Sequence, residues 1–176
     1  MLGKPVKSGA ILMALRRYVP PTDTKKSMRL QEVLASLGDI TVRSKLIVFT
    51  FKNSPTLIKN HAVVLSSVGQ NHHVFYTFSR GIHESTLIIS SSEKDNIETN
   101  FKNETTLNYQ DNLSAISIRL PKGNNTVAGL YYQIFKRLAW EGITLSELIS
   151  TTNEFIVLVE DHLVDKAFSV IKKLNI

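Results

Sequence analysis

The sequence of 176 residues contains no cysteine, only eight glycines and five prolines, and 8% aromatic residues. The absence of cysteine excludes disulfides, thiolate nucleophiles and zinc sites built on sulfur, and it agrees with a reducing cytosol. The low glycine and proline content is not that of a disordered chain, and 43% hydrophobic residues suffice for a buried core. We therefore expect a folded, cytoplasmic protein of one ordinary domain or two small ones.

Long hydrophobic runs are missing as well. No stretch approaches the about 20 apolar residues that a helix needs to cross a bilayer. The start, Met1–Pro5, lacks the apolar segment of a secretory signal. We expect no membrane partner.

The net charge of +6 is unevenly distributed along the chain. Residues 1–60 contain 11 lysines and arginines against three acidic residues, whereas residues 61–176 contain 10 against 12. A basic segment on a near-neutral body is the electrostatic pattern of a nucleic-acid-binding protein, although a merely solvated basic surface is the simpler explanation, because no base-reading motif accompanies the charge. Nucleic acid, bound through residues 1–60, is therefore one candidate partner.

Residues 1–38 predict a basic helical arm. An amphipathic stripe runs over residues 8–18 and must end before Pro20 and Pro21, because proline excludes helical geometry at the residue before it. A second helix is predicted over residues 24–37, where Gly38 closes it.

The rest of the chain predicts two copies of one βαββα unit, at residues 39–111 and 112–176. Corresponding elements recur about 70 positions apart, as in the pairs Ile47 with Ile116 and Glu84 with Glu154. In the second unit, alternating strands and two apolar helical stripes predict two helices on one face of an antiparallel sheet, the ferredoxin-like arrangement of an α+β fold.

The second unit ends without room for a long fourth strand. Its open edge, or the sheet face that carries Ile156 and Leu158, therefore needs a partner. Either the first unit or a second chain fits that requirement.

Residues that could carry catalysis or hold a metal are not evident. His72 and His73 are adjacent and would point to opposite faces of a strand, which separates them, so we expect no metal site. The segment Gly3–Ser8 has pieces of a phosphate-binding loop but lacks the glycine before the lysine. We expect neither an enzyme nor a bound cofactor.

The most informative local feature is the connection Pro121–Gly129, from a buried strand into a helix predicted over residues 126–140. Its glycines and asparagines permit unusual dihedral angles, and a cap by Asn125 or Thr126 would leave unpaired N–H groups at a positive helix end. Such a loop can receive a carboxylate. An ordinary strand-to-helix turn, however, requires caps and glycines too.

The same region resembles an ACT domain of the aspartate kinase type. The resemblance rests on Leu113–Pro121 and on Ala128–Glu154, which includes the turn Gly142-Ile143-Thr144 and the approach Ile149-Ser150-Thr151-Thr152-Asn153-Glu154. Residues 39–111 look like a degenerate companion. The start Ala10–Tyr18 is similar to the linker of prokaryotic ACT proteins that carry a helical region upstream.

The resemblance implies a non-enzymatic regulatory module that forms homodimers and senses an amino acid or a similar metabolite. The kinase domain of the family has no counterpart here. In ACT domains the effector binds the loop before the first helix and the entry of the second strand. Carried over, the effector-binding positions are Asn124, Asn125, Thr126, Val127, Ala128, Gly129, Leu130, Ile143, Thr144 and Leu145.

Two further expectations complete this reading. In the first unit, Lys52–Pro55 replaces the glycine loop, so no second effector site is expected there. The alternative function is a dimerisation body for a basic DNA-binding arm that binds no ligand.

Overall fold

A computed structural model describes residues 7–18 and 24–175 of the chain. It contains six helices and six strands within these residues, besides four short 3₁₀ turns. In chain order they are α1 (Ser8–Arg17), α2 (Thr24–Ala35), β1 (Ile40–Lys52), α3 (Leu57–Val68), β2 (Tyr76–Arg80), β3 (Glu84–Ser90), α4 (Lys94–Asn100), β4 (Thr106–Arg119), α5 (Leu130–Trp140), β5 (Glu147–Ser150), β6 (Glu154–Glu160) and α6 (Val164–Lys172).

The strands form one antiparallel sheet in the order β2-β3-β1-β4-β6-β5. The order is symmetric about the central pair β1 and β4, as expected for two related halves. Lys52 pairs with Glu84 in one half, and Arg119 pairs with Glu154 in the other. The predicted α+β class, with the ferredoxin-like strand order in each half, is confirmed.

Both central strands are shared between the halves. Strand β1 pairs with β4 along its length, Ile40–Arg43 with residues 115–118 and Leu46–Phe51 with residues 106–113, and its residues 46–52 also pair with β3 on the other side. The pairing with β3 begins just after Lys45, and both Lys45 and Asn112 adopt left-handed φ values, of 60° and 52°. Register shifts in the β1–β4 pairing fall at the same place. These bends turn one half of the sheet relative to the other.

Residues 40–43 therefore supply the fourth strand that the second unit lacks at its C-terminal end. This pairing associates them with residues 112–176, although they precede the first unit in sequence. The predicted division at residues 39 and 112 remains a prediction.

The inner face of the sheet is buried, and no helix of the described residues packs on it. Leu46, Val48 and Ile88 of the first half pack against Leu113, Ala115, Ile156 and Leu158 of the second, and Leu158 has no exposed surface. A small cavity is lined by β2 and β3 on one side and by β5 on the other. The sheet thus folds back on itself, and the partner of the face carrying Ile156 and Leu158 is the first half.

The helices cover the two outer faces. In the second half, α5 and α6 bury Ile134, Leu138 and Ile171 against Ile116 and Val157. In the first half, Val64 and Ile97 lie against Phe49 and Phe51. Periodicity predicted these faces correctly, because each strand alternates between the inner and outer cores.

The predicted arm divides into two different parts. Helix α2 packs on the second half, where Leu30, Val33 and Leu34 are partly buried and Leu37 lies in the core. Helix α1 buries no residue.

In the part of the chain that the structure describes, no helix combines the length and apolarity required to cross a membrane.

Candidate functional site

The connection from β4 to α5 is a longer loop than expected. Gly123 and Gly129 adopt left-handed φ values of 80° and 93°, and a short 3₁₀ turn lies between them. Helix α5 begins only at Leu130, with Gly129 as its N-cap and no side-chain cap. The predicted start at residue 126, capped by Asn125 or Thr126, is wrong because the left-handed Gly129 interrupts helical geometry.

Hydrogen bonds within the loop fix its shape. The buried Asn124 side chain donates from Nδ2 to the carbonyl oxygens of Pro121, at 3.0 Å, and Thr152, at 2.8 Å. Thr126 Oγ1 donates to the carbonyl oxygen of Gly123 at 2.8 Å. The loop is therefore tied to the hairpin between β5 and β6.

Helix α2 covers the loop, which the sequence pattern did not reveal. Arg29 Nη2 donates to Thr126 Oγ1 at 2.8 Å. Leu30 lies so close that a Cβ at Gly129 would sit 3.3 Å from its Cδ2 atom. The helical stripe of α2 placed Leu30 on an apolar face, but no sequence signal connected either residue with residues 123–130.

This arrangement favours a carboxylate ligand. The first backbone hydrogen bond into α5 runs from Gln133 N to the Gly129 oxygen, so the preceding N–H groups of the first turn have no helical acceptor. They lie at a positive helix end, and the Arg29 guanidinium is bound to the loop four residues before the helix, at Thr126. Asn125, Ala128 and Gly129 are exposed and accessible, whereas Val127 is half-buried and Leu130 belongs to the core.

The predicted strand-entry residues lie elsewhere. Ile143 is buried and its N–H donates to the Leu138 oxygen at 3.0 Å; Leu145 packs on the same core, and Thr144 is exposed. They follow the C-terminal end of α5, and an eleven-residue helix is about 16 Å long. A single chain therefore does not bring them to the loop 124–130.

A polar cavity lies next to these strand-entry residues. It has a volume of about 620 Å³, and its wall includes Ser146, Asp111, Glu160, Asp161 and His162. Asp161 accepts a hydrogen bond from the buried Ser114, while His162 lies 3.3 Å from Glu160. Three carboxylates against one histidine make this cavity a site of negative potential.

The corresponding loop of the first half is closed by a carboxylate of the chain itself. Glu104 accepts hydrogen bonds from Ser54 Oγ at 2.5 Å, Thr56 Oγ1 at 2.6 Å and Asn60 Nδ2 at 2.7 Å. Ser54 Oγ also accepts the N–H of Leu57 at 3.0 Å, at the start of α3. The Glu104 side chain thus occupies the position in front of α3 that corresponds to the loop in front of α5.

Among residues 7–18 and 24–175, no three histidine or acidic side chains are grouped to hold a metal ion. The His61 ring stacks on that of Phe78 with a centroid distance of 3.9 Å, and burial lowers the pKa of His61 from its ordinary value. Burial likewise raises the pKa of Tyr76 to about 12. Both side chains belong to the packing of the first half.

Comparisons with known proteins find solved structures of the same fold. No protein-family model matches the sequence, and no curated protein does. Among solved structures, the regulatory subunit of aspartate kinase from Thermus thermophilus superimposes with a TM-score of 0.62 at 8% identity. The match covers 79% of this chain and 98% of that one.

Two complete kinases match over a smaller share of their length. Clostridium acetobutylicum aspartate kinase has a TM-score of 0.63 and 16% identity, over 80% of this chain and 35% of the kinase. E. coli aspartokinase III in complex with lysine and aspartate has a TM-score of 0.55 and 10% identity, over 78% and 32%. The structure therefore has the fold of an aspartate kinase regulatory subunit, as the ACT-domain resemblance implied.

Proposed function

We propose that this chain is a non-enzymatic, cytoplasmic regulatory module that binds an amino acid through its carboxylate at the loop 124–130. The observation that carries the proposal is the hydrogen bond of Arg29 to Thr126, in the loop that leads into the unpaired first turn of α5. In the proposed complex, the guanidinium and the N–H groups of that turn would both donate to the carboxylate. Charge-assisted hydrogen bonds of this kind are about twice as strong as neutral ones.

The contrast between the two halves supports a single site per chain. In the first half, Glu104 already satisfies the donors of Ser54, Thr56 and Asn60. In the second half, no carboxylate of the described residues accepts a hydrogen bond from residues 121–130. The loop before α5 is therefore the one that an external carboxylate would complete.

The ammonium group of the effector would be held by a second chain in a homodimer. The predicted strand-entry residues 143–145 lie about 16 Å from the loop of their own chain, at the far end of α5. They adjoin the cavity of Asp111, Glu160 and Asp161, whose carboxylates suit an ammonium group. Two chains placed side by side could bring one loop to the other chain's carboxylates.

The solved relatives agree with this class of ligand. One of them is aspartokinase III in complex with lysine and aspartate, and another is a regulatory subunit without a kinase domain. We propose only the class of ligand, an amino acid, for this chain, and neither lysine nor aspartate in particular.

Thermal unfolding in the presence of each of the twenty amino acids tests the proposal. A ligand at 100 times its dissociation constant should raise the free energy of unfolding by about 2.7 kcal/mol. Arg29→Gln should weaken that ligand about tenfold or more, because it removes a charged donor. Arg80→Gln, on the exposed end of β2, is the matched control and should bind as the original chain does. If no amino acid shifts the transition, the proposal is wrong.

A further inference from the structure

The outer face of α5 carries an exposed row of aromatic rings and a cation. Tyr132 and Trp140 are 60% and 72% exposed, which is unusual for side chains of this size. Lys136 lies between them, with its Nζ 5.6 Å from the Tyr132 ring centroid and 4.4 Å from that of Trp140. Two flat apolar surfaces and one ammonium group thus face solvent together.

Two adjoining grooves run beside this row. The groove towards α2 has a volume of about 440 Å³ and the groove towards α6 about 280 Å³, and Arg137 and Lys173 line both. Lys166 adds a third cation at the second groove. The single carboxylate there, Glu141, lies 3.3 Å from Lys166. Among the described residues, no carboxylate forms an ion pair with Lys136, Arg137 or Lys173.

We propose that this face of α5, with its two grooves, binds single-stranded nucleic acid. A single strand presents phosphates at regular intervals and bases that are free to stack, and proteins bind it with cationic grooves and exposed aromatic rings. Here Arg137, Lys166 and Lys173 would contact the phosphates, and Trp140 and Tyr132 would stack on bases. The site differs from the arm of residues 1–60 that the charge distribution indicated, although α2 forms one wall of a groove.

The charges on this face favour a nucleic-acid strand over two other possible occupants, a second copy of the chain and an acidic peptide. A second copy docked on the same face would bring the cations of both copies together, which repel each other. An acidic peptide would pair with the cations but would leave the rings of Trp140 and Tyr132 without a partner. A strand of nucleotides satisfies both sets of groups.

The sequence offers a direct reporter, because Trp140 is its only tryptophan. Titration of the whole chain with oligo(dT) and with oligo(U) of 20 nucleotides should quench its fluorescence through stacking. With about three phosphate contacts, the slope of log affinity against log salt should be about −2. The two oligonucleotides distinguish DNA from RNA as the source of the strand.

Variants then test whether binding depends on this face of α5 and not on other basic parts of the molecule. Trp140→Ala, followed by fluorescence anisotropy of a labelled oligonucleotide, should lose about tenfold in affinity or more. The double variant Lys136→Gln/Arg137→Gln should reduce both affinity and salt slope. The control variant Lys59→Gln/Lys102→Gln removes the same amount of charge from the first half and should change neither the affinity nor the salt slope. Circular dichroism and thermal unfolding verify that each variant is folded.

Four results would overturn the proposal. The first is the absence of quenching, and the second is equal quenching by polyglutamate. The third is binding that Arg16→Gln/Arg17→Gln abolishes but Trp140→Ala does not weaken. The fourth is a change in Trp140 fluorescence that depends on protein concentration alone. The third would assign the nucleic acid to the arm, and the fourth would assign the face to self-association. None of them bears on the amino-acid site, whose test is independent.

Discussion

Replacing Leu158 by alanine is expected to lower the free energy of unfolding by about 3 kcal/mol, the usual cost of emptying a large apolar side chain from a packed core. Leu158 has no exposed surface and lies between the two halves of the sheet, beside Leu46, Ile88 and Leu113. No helix covers this inner face, so the contact between the halves is the only burial it has among the described residues. Chemical denaturation at constant pH measures the change.

The neighbouring strand supplies a matched control for this substitution. Leu148 of β5 is 46% exposed and pairs with Val157, next to Leu158 in β6. Leu148→Ala should cost well under half as much, because exposed side chains bury less apolar surface on folding. Equal losses from the two substitutions would show that the halves do not pack face to face.

Replacing Glu104 by alanine should cost about 2 kcal/mol, since hydrogen bonds to a charged group contribute about 1.5–3 kcal/mol. The substitution removes the acceptor shared by Ser54, Thr56 and Asn60, at the start of α3. It also opens the loop of the first half, so acetate or formate should restore part of the stability. Thermal unfolding with and without added acetate measures both effects.

Glu98→Ala is the control for the loss of one negative charge near the same helices. Glu98 makes only an exposed ion pair with Lys94 at 3.8 Å, and such pairs contribute little. Its replacement should change stability by less than about 0.5 kcal/mol and should show no response specific to acetate. A Glu104→Ala variant as stable as Glu98→Ala would mean that the carboxylate does not hold the loop.

Local patterns in the sequence predict most of the fold. Alternation in β6 and the stripe of Ile134 and Leu138 in α5 identify the outer core, and the near-70-residue offset identifies the two halves. The offset was inexact for the central strands. Lys52 pairs with Glu84 in the first half, and Arg119 pairs with Glu154 at the equivalent position of the second. Residues 46–52 of β1 therefore correspond to residues 113–119 of β4, a spacing of 67 positions.

The pairing of the two central strands was not predictable in the same way. Lys45 and Asn112 take left-handed φ values without being glycine; asparagine adopts this conformation more readily than most residues, but lysine does not, so the bend at Lys45 has no signal in the sequence. The pairing of Ile40 with Ile118 joins segments 78 positions apart, and nothing in either segment specifies the other. Sequence periodicity indicates which face of a strand is buried, whereas the strand with which it pairs depends on the fold of the whole chain.

The candidate site was predicted only in part. The glycine-rich loop was found because Gly123 and Gly129 are visible in the sequence, and both adopt left-handed conformations. Arg29 was not found, because its contact with Thr126 spans 97 positions. The Glu104 contacts with Ser54 and Asn60 span 50 and 44 positions and were equally hidden.

The central claim is that an effector binds at the loop of the second half and not at that of the first. The most direct test is to titrate the ¹⁵N-labelled chain with the amino acid that stabilises it most, following backbone amide shifts by NMR. We predict that the shifts saturate at one ligand per chain and are largest at Asn125, Ala128 and Gly129. Largest shifts at residues 53–60 and Glu104, or none near residues 124–130, would contradict the account.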